Sequence, residues 1–145
     1  MYEDRLYENA KEKYNSAAKV LTAATVVKAS DHGKTFFLNS ATEFVTKLPA
    51  PSLGLAFSFI VKAAPSSASY TIVTHDMTGL IKGGVYTVDV DSATNPDLET
   101  SGGDTITFAD GVAVAGDRVD LISDGTYWYM RGFCTVYNGI TITGS

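Results

Sequence analysis

Five acids between residues 89 and 104, two histidines and one cysteine are the side chains from which a catalytic or metal site would be built. Asp89, Asp91, Asp97, Glu99 and Asp104 offer the oxygen ligands that calcium prefers. Aligned from Asp89, however, an EF-hand loop puts Ala93 at its third ligand position, Thr94 at its glycine and Thr100 at its terminal glutamate, so the motif fails. His32 and His75 are far apart and neither has a partner at metal-ligand spacing, so a zinc site with Cys134 is not expected. Gly33-Lys34-Thr35 matches the end of a phosphate loop, but the first glycine of that loop would fall on Lys28, and no helix follows. There is no Gly-x-Ser-x-Gly elbow and no defensible Ser/His/Asp set. Glycoside hydrolysis needs two acids flanking a substrate, and nothing selects a pair here. The reading is no enzyme: no catalytic residues, no metal and no cofactor.

The aromatic residues tell more. In the stretch 116–133, Asp124-Gly125 separates two runs of strand-forming residues, the pattern of a hairpin closed by a two-residue type I′ turn. That turn would pair Leu121 with Trp128 and Val119 with Met130 on one face, and Ile122 with Tyr127 and Asp120 with Tyr129 on the other. Alternation sends Trp128 to the core. Large side chains on the second face are unusual for a solvated sheet. Ile122, Tyr127 and Tyr129 are therefore the candidates for a self-association interface, in preference to a sugar-stacking platform.

The elements that would position them are mostly short strands. They are expected at Val20–Lys28, Lys34–Leu38, Phe44–Leu48, Leu55–Lys62, Ser69–His75, Val85–Val90, Thr105–Phe108, Arg118–Ser123, Thr126–Arg131 and Thr135–Thr143. Turn signals such as Asp31-His32-Gly33, Pro49-Ala50-Pro51, Gly83-Gly84, Asp110-Gly111 and Asn138-Gly139 punctuate them. Leu55, Phe57, Phe59 and Val61 fall on one face of their strand and read as core. Ser92–Gly103 is the longest stretch without strand character and reads as a contact loop or a solvated connection. No helical period appears after residue 20, which excludes a βαβ fold. The expected architecture is all-β: a β-sandwich of jelly-roll type over residues 20–145, with residues 1–19 as an N-terminal helical or extended arm.

That arm is dense in charge and lacks Gly and Pro. Tyr7, Ala10, Tyr14, Ala17 and Leu21 would line one helix face, a stripe too weak to hold a helix by burial alone. Tyrosines are enriched where surfaces meet, so Tyr2, Leu6, Tyr7 and Tyr14 are candidate contacts to a partner. The 145-residue chain is long enough for a core without disulfide staples. Its net charge of −5 argues against nucleic acid as a partner. No apolar run approaches a membrane span, and the charged beginning is not a signal peptide. The single Cys134 cannot close an intrachain disulfide, which suits a reducing cytoplasm.

Several phrases carry a family resemblance: Leu21-Thr22-Ala23, Gly33-Lys34-Thr35-Phe36-Phe37-Leu38-Asn39, Leu48-Pro49-Ala50-Pro51, Gly54 to Val61, Tyr70 to Thr74, Gly103 to Phe108, Gly116 to Gly125 and Trp128-Tyr129. Together they resemble the small β-rich virion proteins of tailed bacteriophages, in particular capsid decoration (cement) proteins. The likeness covers about residues 20–143 and consists of turns and core strands. It implies synthesis in the host bacterial cytoplasm and a place in the virion, on the outer surface of the head. The implied partner is the major capsid protein, bound by a homo-oligomer, commonly a trimer, that bridges capsomers and adds buried area across joints under outward pressure. Symmetric sites multiply modest contacts through avidity. The resemblance brings no catalytic residues. The rival expectation is a carbohydrate- or receptor-binding module of a phage fibre or spike.

Overall fold

The structure, a computed structural model, describes residues 15–40, 42–88 and 98–144, with residues 98–101 described by their backbone alone. Twelve strands are formed among the described residues: β1 (Ala18–Leu21), β2 (Thr25–Val26), β3 (Thr35–Leu38), β4 (Phe44–Lys47), β5 (Ala56–Val61), β6 (Tyr70–Val73), β7 (Ile81–Thr87), β8 (Leu98–Gly103), β9 (Thr105–Phe108), β10 (Arg118–Ser123), β11 (Trp128–Cys134) and β12 (Ile140–Thr143). A 3₁₀ turn forms at Ala29–Asp31. The all-β expectation holds.

The strands form a seven-stranded sheet in the order β1-β3-β5-β10-β11-β7-β8 and a five-stranded sheet in the order β12-β9-β6-β4-β2. Both are mixed. Through β6 the chain alternates sheets strand by strand: β1, β3 and β5 stack in parallel in the large sheet, and β2, β4 and β6 stack in parallel in the small one. This half winds between the layers, as a solenoid does. From β9 onward antiparallel pairing dominates, with β10 against β5 and β11, and β9 against β6 and β12. A jelly roll is built from antiparallel ladders, so the parallel winding of β1–β6 departs from the expected type.

The core follows from period-two alternation. In β5, Phe57, Phe59 and Val61 are buried, while Ala56, Ser58 and Ile60 are half-exposed on the other face. Inward residues of both sheets join one hydrophobic cluster, Phe36, Phe59, Leu121 and Trp128 from the large sheet meeting Phe44, Tyr70, Ile72 and Phe108 from the small one. Phe36 stacks on Phe59 at 5.2 Å between ring centroids, and Phe57 packs on Trp128 at 5.7 Å. Trp128 is a core residue, as alternation required. The buried Tyr70 hydroxyl lies 2.7 Å from the Ser40 carbonyl and 2.8 Å from that of Ala63, and accepts the Ser40 N–H at 3.1 Å.

Several expectations need correction. The run Val20–Lys28 is two strands in different sheets, because the chain crosses between layers at residues 22–24. The supposed loop Ser92–Gly103 contains β8, an edge strand whose Gly- and Ser-rich sequence hides its pairing with β7. The β10–β11 hairpin is out of the expected register by two residues: Leu121 faces Met130, Ile122 faces Tyr129 and Ser123 faces Trp128. Gly125 takes positive φ, at 98°, but Asp124 does not, so no type I′ turn forms. Instead the Asp124 carboxylate accepts the N–H groups of Thr126 and Tyr127 at 2.8 and 2.7 Å and holds a four-residue loop. A shift of two keeps every side chain on its face, so Leu121, Trp128 and Met130 stay in the core. β1 begins at Ala18, inside the range 1–19 expected as arm.

Candidate functional site

The outer face of the large sheet presents three rows of side chains running across the strands. Register places Val20, Phe37, Ile60, Arg118, Phe133 and Tyr86 side by side on β1, β3, β5, β10, β11 and β7. The next row is Ala18, Thr35, Ser58, Asp120, Arg131 and Gly84. The third is Ala56, Ile122, Tyr129 and Lys82. An apolar and aromatic row, a polar row and a second apolar row therefore lie on one surface. Tyr86 is 66% exposed, Ile122 54%, Tyr129 45% and Phe133 40%, so these large side chains face solvent together. Contiguous patches of this kind mark interaction sites, whereas single exposed apolar residues do not.

Charge on this face is organised. Arg118 Nη2 donates to Asp120 Oδ1 at 2.6 Å, and the Ser58 hydroxyl donates to the same oxygen at 2.6 Å. Partial burial pushes the Asp120 carboxyl up, but the hydrogen bonds from Arg118 and Ser58, with the positive charges of Arg118 and Arg131, more than offset it and hold it below the usual value. The Arg131 guanidinium makes no hydrogen bond or close ion pair among the described residues. Lys82 Nζ sits 4.9 Å from the centre of the Tyr127 ring, a cation–π contact. The Tyr129 hydroxyl donates to Asp124 Oδ2 at 3.0 Å; this bond to a carboxylate holds the Tyr129 proton on and raises its pKa. A shallow depression lies between Tyr86, Phe133, Arg118, Asp120 and Arg131, open on the sheet face.

Of the residues expected to mediate self-association, Ile122 and Tyr129 are cross-strand neighbours on this surface, and Tyr127 stands in the hairpin loop beside Lys82. Tyr2, Leu6, Tyr7 and Tyr14 lie outside the described residues. Sequence reasoning missed Phe133, Tyr86, Phe37, Ile60 and Val20. Their alternation was visible, but the parallel pairing of β7 with β11, which brings Tyr86 beside Phe133, has no local turn to announce it.

His32, Lys34 and Asp117, residue types able to carry chemistry, hold local structure here. His32 Nδ1 accepts the Ala56 N–H at 3.1 Å. Lys34 pairs with Asp31 at 2.8 Å in the 3₁₀ turn, far from any phosphate-loop geometry. Burial pushes the Cys134 thiol up, away from the reactive thiolate. Asp117 is buried and accepts three hydrogen bonds. Asp89, Asp91 and Asp97 lie outside the described residues, as does the Glu99 side chain. Among the described residues there is no group of three metal-ligating side chains and no helix long and apolar enough to cross a membrane. Comparison with known families, curated proteins and solved structures finds no match to this chain.

Proposed function

We propose that this protein is a structural docking module, a capsid decoration protein that binds the outer surface of a phage head as a homo-oligomer, commonly a trimer, and bridges copies of the major capsid protein. The observation that carries a docking role is the apolar, aromatic and arginine-bearing outer face of the large sheet. Flat surfaces with exposed Tyr and Arg are typical of protein contacts, and such residues dominate binding energy when buried there. The choice of a phage head as partner rests on the sequence resemblance. The shared core of the two sheets supports a β-sandwich. The antiparallel runs β5-β10-β11 and β6-β9-β12 favour the jelly-roll refinement, and the parallel pairings speak against it. Ile122, Tyr127 and Tyr129 are assigned to contacts between copies; Tyr2, Leu6, Tyr7 and Tyr14, in the N-terminal arm, are assigned to the shell.

Deleting residues 1–15 removes the arm and leaves every described strand in place. The truncated protein is expected to stay folded and oligomeric but to sediment less with purified heads. Unchanged co-sedimentation discards the arm's role, and no co-sedimentation of the full chain discards the decoration reading. One observation favours a second reading, a glycan-binding module: Tyr86 and Phe133 stand beside Arg118, Asp120 and Arg131, aromatic faces next to groups able to hold hydroxyls. A glycan-array signal lost on Tyr129→Ala or Tyr86→Ala, with no binding to heads, would replace the first reading by this one.

A further inference from the structure

We infer that the depression on the outer face of the large sheet binds an acidic sugar, a hexuronate unit whose ring rests on Tyr86 and Phe133 while its carboxylate meets Arg131. This rests on the glycan-binding reading above and names the class of sugar; attachment to heads is a separate property. The depression measures about 520 Å³, within the range of about 300–1,000 Å³ usual for small-ligand sites. Strand pairing builds it. Arg118 on β10 lies opposite Phe133 on β11, and Phe133 lies beside Tyr86 on β7. In the neighbouring row, Asp120 lies opposite Arg131. Two exposed aromatic side chains thus stand next to two guanidinium groups and one carboxylate.

The three charged groups differ in what they can still offer. Arg118 donates through Nη2 to Asp120 Oδ1 at 2.6 Å and through Nε to Asp120 Oδ2 at 3.3 Å, so its fork is engaged. Arg131 is exposed and makes no hydrogen bond or close ion pair among the described residues. Its planar fork matches one carboxylate through two parallel hydrogen bonds. Asp120 Oδ1 already accepts from Arg118 and Ser58, whereas Oδ2 accepts one long bond and keeps a lone pair for a ligand hydroxyl. Two guanidinium groups against one carboxylate leave a single positive charge in the depression. That charge matches a monoanion; a phosphate dianion would be repelled by Asp120. A uronic acid combines one carboxylate, several hydroxyls and an apolar ring face for the aromatic pair. A neutral sugar leaves Arg131 without a partner, and an acidic peptide brings the carboxylate without the ring and hydroxyls.

The test is isothermal titration calorimetry of the full chain with galacturonate and glucuronate trisaccharides, their methyl esters, and the neutral galactose and glucose counterparts. At least one acid should bind with a Kd in the millimolar range or tighter. Its methyl ester, with the same ring and hydroxyls but no charge, should bind about tenfold or more weakly. Arg131→Gln should weaken the acid about tenfold and erase its preference over the ester, while Tyr86→Ala should weaken acid and ester alike. Both residues are exposed, so the variants should unfold with the wild type, which separates a lost contact from misfolding. Equal affinity for acid and ester overturns the inference, as does an Arg131→Gln variant that keeps the preference or a Tyr86→Ala variant that binds like the wild type. A glutamate peptide that binds as tightly as the uronates also overturns it and assigns the depression to protein carboxylates. Binding of neutral sugars alone ends the acidic-sugar inference and leaves the glycan reading standing; binding of no sugar ends both. Co-sedimentation with heads is scored separately, so decoration stands or falls on its own.

Discussion

Asp117 is the side chain whose removal should cost the fold most for its size. Its carboxylate is fully buried at the start of β10. Oδ2 accepts the Val114 N–H at 3.0 Å, and Oδ1 accepts the Thr135 N–H at 2.9 Å and the Thr135 hydroxyl at 3.1 Å. One side chain thus fastens the turn before β10 to the segment that leaves β11. Asp117→Ala leaves two backbone N–H groups and a hydroxyl without their acceptor. An unpaired buried donor costs about 1–3 kcal/mol. Allowing for water entering the space, the sum is about 3–5 kcal/mol, against a typical folding free energy of about 5–15 kcal/mol. Asp117→Asn keeps one carbonyl for Thr135 but turns an amide N–H₂ toward the Val114 N–H, donor against donor, and should lose about half as much. Urea unfolding followed by circular dichroism measures both variants. An alanine variant within about 1 kcal/mol of wild type would refute the reasoning, since ordinary surface substitutions reach that range.

Gly83 lies opposite Met130 with φ at 115°, and a Cβ there would stand 2.1 Å from the Met130 carbonyl oxygen. Gly83→Ala should lower stability by about 2 kcal/mol or more, and an unchanged unfolding midpoint would contradict the close approach of β7 to β11. The Asp120 carboxyl has a folded pKa below its unfolded one, so its contribution is fully present above the unfolded value and fades as pH falls through the folded one. The stability gap between wild type and Asp120→Asn should therefore narrow below about pH 4; a gap that does not change with pH would show that the ionised form is not favoured in the fold. Cys134 is buried with its thiol pKa raised, so a thiol reagent should label it slowly in the native protein and rapidly in denaturant. Equal rates would place the thiol at the surface.

What the sequence revealed was whatever neighbouring residues encode. Thr105–Phe108 and Arg118–Ser123 have the bounds expected of them, because alternation and flanking turn residues define them locally. The Phe57, Phe59 and Val61 face and the inward Trp128 were legible for the same reason. The hairpin register was not, since Asp124-Gly125 suits a tight turn by composition while the Asp124 carboxylate builds a wider one. Parallel partners were invisible. Val20 meets Phe37, and Phe133 meets Tyr86, only through pairings that no turn between them specifies. Two of the three expected self-association residues fell together on one face, yet most of that face was assembled by strands remote in sequence.

The back-and-forth path of the first six strands has a consequence for how this chain can change over evolutionary time. Ala18 pairs with Thr35 and Thr35 with Ser58, while Thr25 pairs with Thr46, so each circuit consumes about twenty residues and touches chiefly the circuit next to it. A circuit duplicated or lost at the β1–β2 end would lengthen or shorten the molecule by one rung in each layer. The cluster around Trp128 and the Arg118–Asp120 pair would be left untouched. Lineages carrying longer or shorter versions are then expected to differ at their beginnings by multiples of that circuit, with the hairpin half held constant.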